Sequence, residues 1–448
     1  MKIGGNLAGR LGGSVIWKDD DGYERTRTDL VWQERKPTRY PDGIVRAADI
    51  DDVVTAVRWA REHGKQVSVR SGGHSWAGTS VRDGGLLIDL SGLDELSIDV
   101  DAMRAVIGPG HRDEALDAKL AEQCVFFPVG HCASVGIAGF TIGGGYGWWS
   151  QHYGQACLNI EAVDVVTAEG ELIHADREQN PDYFWAVRGS GPGFFGVVVR
   201  FYARLHRRLP VVMDTMSVFA LDLLDDVFRW AWDVRSDLSG PVELVVLPLV
   251  LPGGGERVLM VGGSATAESE AEGRELLAPI AACPLLPAAL DHVAPRVTTM
   301  KALFDTQEMV TPTGYRYAVD NLWTSKSADE MLPFLHEAID NLPTDQSSMM
   351  WYHWPAEDLP TDAALLHADV LIFCYVTYED GDRDAEYQSW VTALMAKYQH
   401  LSEGTQCSDE NFGARFFQPL TKENMEKLER LRDQHDPKHM FHGFPHPA

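Results

Sequence analysis

The chain has 448 residues, 39 of them Lys or Arg and 66 Asp or Glu, so its formal net charge is −27. At roughly 100–200 residues per domain the length fits two or three domains, and a hydrophobic share of 45% supports a sizeable core. The acidity excludes nucleic acid as a partner class, because phosphate-backbone binding needs clustered Lys and Arg.

The charge is also unevenly spread: residues 1–210 carry a net −5 and residues 211–448 a net −22. No stretch of about 18 uncharged apolar residues is present, so a membrane-spanning helix is not expected. The start, MKIGGNLAGRLGGSVIWKDD, lacks the apolar core and small-residue cleavage site of a secretory signal. A cytoplasmic location is therefore expected. The six cysteines, Cys124, Cys132, Cys157, Cys283, Cys374 and Cys407, form no C-x-x-C pair, and no metal site is expected. In a reduced compartment they read as free thiols.

Taken in chain order, Asp51 to His63 has a helical stripe of Val54, Val57 and Trp59-Ala60, with Gly64 as its stop. Strands are expected over Gln66–Arg70, Gly85–Leu90, Ala105–Ile107, Ala162–Thr167 and Gly196–Phe201. Short strands, interspersed helices and many glycine turns predict an α+β region, without the strict alternation of a doubly wound nucleotide fold. After Pro210 longer amphipathic runs appear, Asp222–Val234 and Ala328–Asn341. Between and around them lie strand candidates at Val242–Leu249, Val258–Gly262, Tyr315–Val319, Met349–Trp354 and Val370–Tyr378. A last helix, Thr421–Gln434, stops at Asp436-Pro437, since proline forbids continuation.

Three glycine-rich stretches stand out. Arg70-Ser71-Gly72-Gly73-His74-Ser75 follows a strand, where consecutive glycines let backbone amides approach an anion. On its own it reads first as a plain tight turn, and only second as an anion cradle. The second runs from Gly130-His131-Cys132-Ala133-Ser134-Val135-Gly136 to Gly147, with six glycines in residues 136–147. That density suits backbone packed against an extended ligand. The third runs from Trp185 through Arg188-Gly189-Ser190-Gly191-Pro192-Gly193-Phe194-Phe195-Gly196 to Val198.

In this order and spacing the three stretches resemble the PCMH-type FAD-binding domain of the vanillyl-alcohol-oxidase-type flavoproteins. More narrowly, they resemble the berberine-bridge-enzyme-like oxidases. The resemblance covers residues 30–210 and the segment ending in Asp436-Pro437-Lys438-His439-Met440-Phe441. It implies an α+β protein: a two-subdomain FAD-binding domain over 1–210, a substrate domain over 211–400 with an antiparallel sheet covered by helices, and a segment over 401–448 that returns to the FAD domain. It also implies FAD attached twice, through His74 to the 8α-methyl and through Cys132 to C6. Neutral imidazole and thiolate are nucleophiles and the oxidised flavin is an electrophile, so no further enzyme is needed. By the same resemblance Ser71, Gly72, Gly73 and Ser75 would place backbone and hydroxyl donors at the pyrophosphate, and Arg70 is a further cofactor-binding candidate. Gly130, Val135, Gly136, Gly139, Gly143 and Gly144 would lie along the cofactor, with Gly196 and Val198 near its adenine or ring. Where the family has Gly-Asn-Phe-Gly, this chain has Gly193-Phe194-Phe195-Gly196, which removes an amide.

The implied reaction is hydride transfer from a bulky alcohol, sugar or amine to flavin N5, with O2 reoxidation to H2O2. The substrate is thus a small molecule, and the oligomeric state stays open. Many relatives take the substrate proton with a tyrosine in a Tyr-x-Asn-Tyr-like motif before the terminal helix. Here the matching region, Cys407 to Gln418, has none. Asp409 or Glu410 could replace it, or could simply be surface helix-capping acids. On the strand candidates Met350, Tyr352 and Trp354 share one face, and Trp351 and His353 the other. Tyr352, His353 and Tyr375 are the further catalytic candidates, with plain core packing as the other reading. A flavin-dependent oxidative cyclase or monooxygenase-like enzyme and a non-catalytic flavin-binding protein are the alternative functions.

Overall fold

Three large sheets and a two-stranded pairing of His206–Arg207 with Val125–Phe126 organise the described residues, and the sheet faces are set by where β-branched and aromatic residues alternate. The computed structural model describes residues 7–251, 253–354, 362–408 and 410–447. The first sheet has four strands in the order Ser14–Trp17, Gly43–Arg46, Leu86–Asp89, Val67–Arg70. Its first pair is antiparallel and the other two are parallel. The helix Ile50–Glu62 makes the crossover from Gly43–Arg46 to Val67–Arg70, the two strands that flank Leu86–Asp89 in parallel. The Asp49 side chain caps that helix on Asp52 N, and Gly64, at φ +60°, follows its end. Its inner face buries Val53, Ala56, Val57, Trp59 and Ala60 in one cluster with Val45, Val67 and Ile88 of the strands. Each fully buried aliphatic side chain of this kind contributes about 1.5–3 kcal/mol.

A five-stranded antiparallel sheet follows, ordered Leu96–Asp99, Arg104–Ile107, Val197–Arg204, Ile160–Val166, Leu172–Ala175. The third sheet begins at Val211. It has seven antiparallel strands, in the order Asp291–Thr298, Val211–Ala220, Arg257–Ala267, Val242–Val250, Ser348–His353, Val370–Tyr378, Arg316–Thr324. The α+β architecture with an antiparallel, helix-covered sheet is as expected from the sequence. Two of its strands, Val211–Ala220 and Asp291–Thr298, were not expected, nor were the helices Met300–Val310 and Asp384–Lys397.

Alternation along the strand Ser348–His353 divides the molecule. Met349 and Trp351 enter a core with the helices Leu224–Val234, Ala328–Asp340 and Asp384–Lys397. Met350 and Tyr352 enter a different, aromatic cluster with Phe373, Tyr375, Tyr317, Trp323 and Trp76. Trp76 comes from the first half of the chain, so this face is turned toward the glycine-rich loops.

The terminal helix Lys422–His435 is capped by Thr421, and the chain beyond it returns to the first sheet. Phe441 bridges Val67 in parallel, with Val67 N donating to Met440 O at 2.7 Å. Buried Asp436 accepts from the amides of Met440 and Phe441, both at 2.8 Å, which fixes the turn after the helix.

Candidate active site

The loop Ser71–Ser75 leaves the strand Val67–Arg70 at its C-terminal end. Arg70 is buried and paired with Asp89 at 3.1 Å, and its Nε donates to Leu30 O. Gly73 has φ +70°, and a Cβ there would fall 2.0 Å from Leu30 O. Only glycine fits both constraints. A Cβ on Gly72 would sit 2.4 Å from Gly136 N, and one on Gly136 the same distance from Gly72 N. The first two glycine-rich stretches therefore lie backbone against backbone, which explains why neither carries a side chain there.

His74 stacks on Trp32 with ring centroids 4.3 Å apart, and its Nε2 lies 3.0 Å from Ser134 Oγ. Burial, aided by the charge of Arg112, holds its pKa down at about 3. The imidazole is thus neutral near pH 7, as a nucleophile requires. Cys132 lies at the other stretch, its Sγ 3.5 Å from Thr311 Oγ1 at the end of the helix Met300–Val310. Gly130 N donates to Asp113 Oδ2 at 2.6 Å, and Asp113 N donates to Val135 O at 3.0 Å. Burial pushes the Asp113 carboxyl well above its usual range.

One cavity of about 310 Å³ joins these parts. Every cofactor candidate drawn from the sequence lines it except Gly144. Gly144 instead makes a turn at φ +111°, under the ring of Tyr146. The third stretch contributes Phe194, whereas Phe195 is fully buried and stacked on His435, 5.6 Å away and 4° from parallel.

The wall fits FAD. A Cβ at Gly139 would meet nothing within 4 Å, so that backbone is open to a ligand. The hydroxyls of Ser80 and Ser408 are buried without a partner among the described residues, and both line the cavity. Buried polar groups of this kind call for a partner. Arg82, also on the wall, adds a cation whose pKa burial lowers to about 10.

Of the catalytic candidates, Tyr352 and Tyr375 face the cavity. His353 does not line it: it is buried on the opposite face of its strand, where burial and the charge of Arg235 lower its pKa to about 4. Asp409 lies outside the described residues. Glu410 is not a surface cap. It is buried, accepts from Ser75 Oγ at 2.9 Å and from Phe412 N at 3.0 Å, and burial raises its pKa. The nearby Arg415, paired with buried Asp320, anchors this segment to the large sheet.

A further group escaped the sequence reading. Buried Glu243, on the strand Val242–Val250, accepts from Tyr352 Oη at 2.8 Å and from Trp149 N at 2.7 Å. His131 Nε2 lies 3.3 Å from both of its oxygens. Gln151 Nε2 donates to Tyr352 Oη at 2.7 Å. Burial first, and Glu243 second, lift the Tyr352 pKa well above the ordinary phenol value. The available signal was a lone acid in the apolar run Val242-Glu243-Leu244-Val245-Val246, where a charge is retained only if it is paired.

Comparison with known proteins agrees with this geometry. Residues 41–176 match the family model described as an FAD binding domain. The FAD-linked oxidoreductase nodO of Hypoxylon pulicicidum is 30% identical over 437 residues, covering 96% of each chain. (R)-6-hydroxynicotine oxidase of Paenarthrobacter nicotinovorans is 37% identical over 194 residues, 43% of this chain and 42% of that one. Among solved structures, BBE-like 1 of Physcomitrella patens superposes with a TM-score of 0.85 at 19% identity, covering 98% of this chain and 97% of that one. The chain belongs to the FAD-linked oxidoreductases, carries an FAD binding domain and has the fold of BBE-like proteins.

Proposed function

We propose that the protein is an oxidase that holds FAD through two bonds, at His74 and Cys132, and oxidises a bulky alcohol, sugar or amine at the expense of O2. The observation that carries this reading is that a neutral imidazole and a thiol from separate glycine-rich stretches line one cavity. When bound, FAD supplies the two-electron acceptor and passes the electrons to O2, giving H2O2.

The chain does the rest. Ser71 to Ser75, Ser80, Arg82 and Ser408 supply donors and charge for the pyrophosphate. Gly136, Gly139 and Gly143 let backbone lie close along the cofactor. Gly196 and Val198 complete the far wall. Met350, Tyr352, Phe373 and Tyr375 cover the substrate side and exclude water. Glu410 holds Ser75, and through it the turn that carries His74. A cytoplasmic setting suits a chain in which no two of its cysteines are joined to each other among the described residues.

Covalent attachment is tested by acid precipitation and by in-gel flavin fluorescence. Wild type, His74→Ala and Cys132→Ala each keep a fluorescent band, and the double variant keeps none. Complete release of flavin from the wild type overturns the reading.

A further inference from the structure

Resting on the oxidase reading above, we propose that Tyr352 takes the substrate proton, that Glu243 receives it through Tyr352, and that the substrate is an uncharged alcohol on an apolar skeleton. The hydrogen-bond pattern fixes the polarity of Tyr352. Its own proton is committed to Glu243 Oε1 at 2.8 Å, and Gln151 Nε2 donates to its oxygen at 2.7 Å. Its oxygen also lies 3.4 Å from His131 Nε2, a long contact that a donor from the cavity can replace, and Tyr352 is on the cavity wall. A hydroxyl donor is the natural complement.

The carboxylate itself is sealed behind Tyr352 and Trp149 N. An ammonium group would therefore meet a phenol oxygen and not a charge. Among the described residues the cavity lining contributes no Asp or Glu, and it does contribute Arg70 and Arg82. Around Tyr352 the wall is Met350, Leu371, Phe373 and Tyr375, which suits an apolar skeleton.

The step balances as follows in atoms and electrons. The carbinol C–H bond breaks and its hydride, with two electrons, goes to the oxidised flavin. The substrate O–H proton passes to Tyr352 Oη, while the phenol proton passes to Glu243 Oε1. The C–O bond becomes C=O, so the alcohol is oxidised and the flavin reduced. His131, 3.3 Å from both carboxylate oxygens and on the cavity wall, is the group through which the proton leaves. Tyr352 is thus a catalytic residue, and Glu243 and His131 are positioning residues that act through it.

The test uses the purified holoenzyme and matched probes, a naphthyl-substituted ethanol and the corresponding ethylamine. Flavin content is measured first. If wild type carries no flavin, the oxidase reading itself fails. With flavin present, wild type is expected to turn over the alcohol and not the amine; turnover of the amine alone, or of neither probe, overturns the substrate class. Glu243→Gln and Tyr352→Phe are expected to keep wild-type flavin content while kcat falls about 100-fold, the usual scale of general-base assistance, and KM rises about tenfold with the lost hydrogen bond, and Glu243→Asp to restore part of both. A binding readout independent of turnover is naphthol, a hydroxyl donor with no carbinol hydrogen. Its affinity is expected to fall about tenfold in Glu243→Gln, the scale of one hydrogen bond, because the new amide can donate to Tyr352. The methyl ether of naphthol should bind unchanged. Unaltered kcat and unaltered naphthol binding in Glu243→Gln overturn the relay.

Discussion

Two glycines decide how close the two cofactor-bearing loops can come. Gly72 and Gly136 each leave no room for a methyl group, because the other's backbone nitrogen would lie 2.4 Å away. Both contacts are to backbone, so no flexible side chain can give way. Gly72→Ala and Gly136→Ala are each expected to cost about 1–3 kcal/mol, the range for overpacking a tight site, and to deplete bound flavin. Thermal unfolding and the flavin-to-protein absorbance ratio check this. At the same scale the candidate site was partly legible. His74 and Cys132 were readable because glycine motifs keep local spacing. Glu243 was not, because its partner Tyr352 is 109 residues away and meets it only through strand pairing.

At the scale of the element, strand alternation assigns roles within a single segment. Ser348–His353 turns Met350 and Tyr352 to the cavity and Met349 and Trp351 to the helices. Its period of two was visible in the sequence, but which face met the cofactor was not, since both faces carry large apolar side chains. The strand Val370–Tyr378 is buried along its whole length, so its existence was plain and its orientation was not. The exposed strand Asp291–Thr298 carries no strand signal in the sequence, because it is polar, contains Pro295 and alternates weakly.

His353 offers a test of the assigned face. Burial lowers its pKa to about 4, against the ordinary 6.5. Between those values the unfolded chain binds the proton more readily than the folded one. The stability is therefore complete above pH 6.5 and is lost as pH falls toward 4, by on the order of 3 kcal/mol. Unfolding midpoints of His353→Asn are expected to drop less than wild type between pH 6.5 and 4, with alcohol turnover near pH 7 retained. A parallel pH dependence in the two proteins would contradict the placement.

For the whole molecule, the charge asymmetry now has a structural setting. Residues 211–448 hold −22 of the −27, yet the described cavity wall carries arginines and no carboxylates. Among the described acids of this half, Glu243, Asp320, Glu410 and Asp436 are buried, and most of the others are exposed or half-buried on the surface. Added salt screens such charges, so KM for a neutral alcohol is expected to change by less than about twofold between low salt and roughly 0.5 M NaCl. Steady-state kinetics at the two salt levels check it, and a steep rise in KM would place acidic groups at the mouth. The return of the C-terminal segment to the strand Val67–Arg70 also belongs to this scale: it brings Phe441 and His442 to the cavity wall, from more than 360 residues away in sequence.

The central claim is the doubly attached flavin, and intact-protein mass spectrometry of the acid-denatured chain tests it most directly. The expected result is a single species heavier than the 448-residue chain by one FAD, with peptide mapping placing the flavin on both the His74 and the Cys132 peptides. A chain at its unmodified mass, with flavin free in the supernatant, would contradict the account.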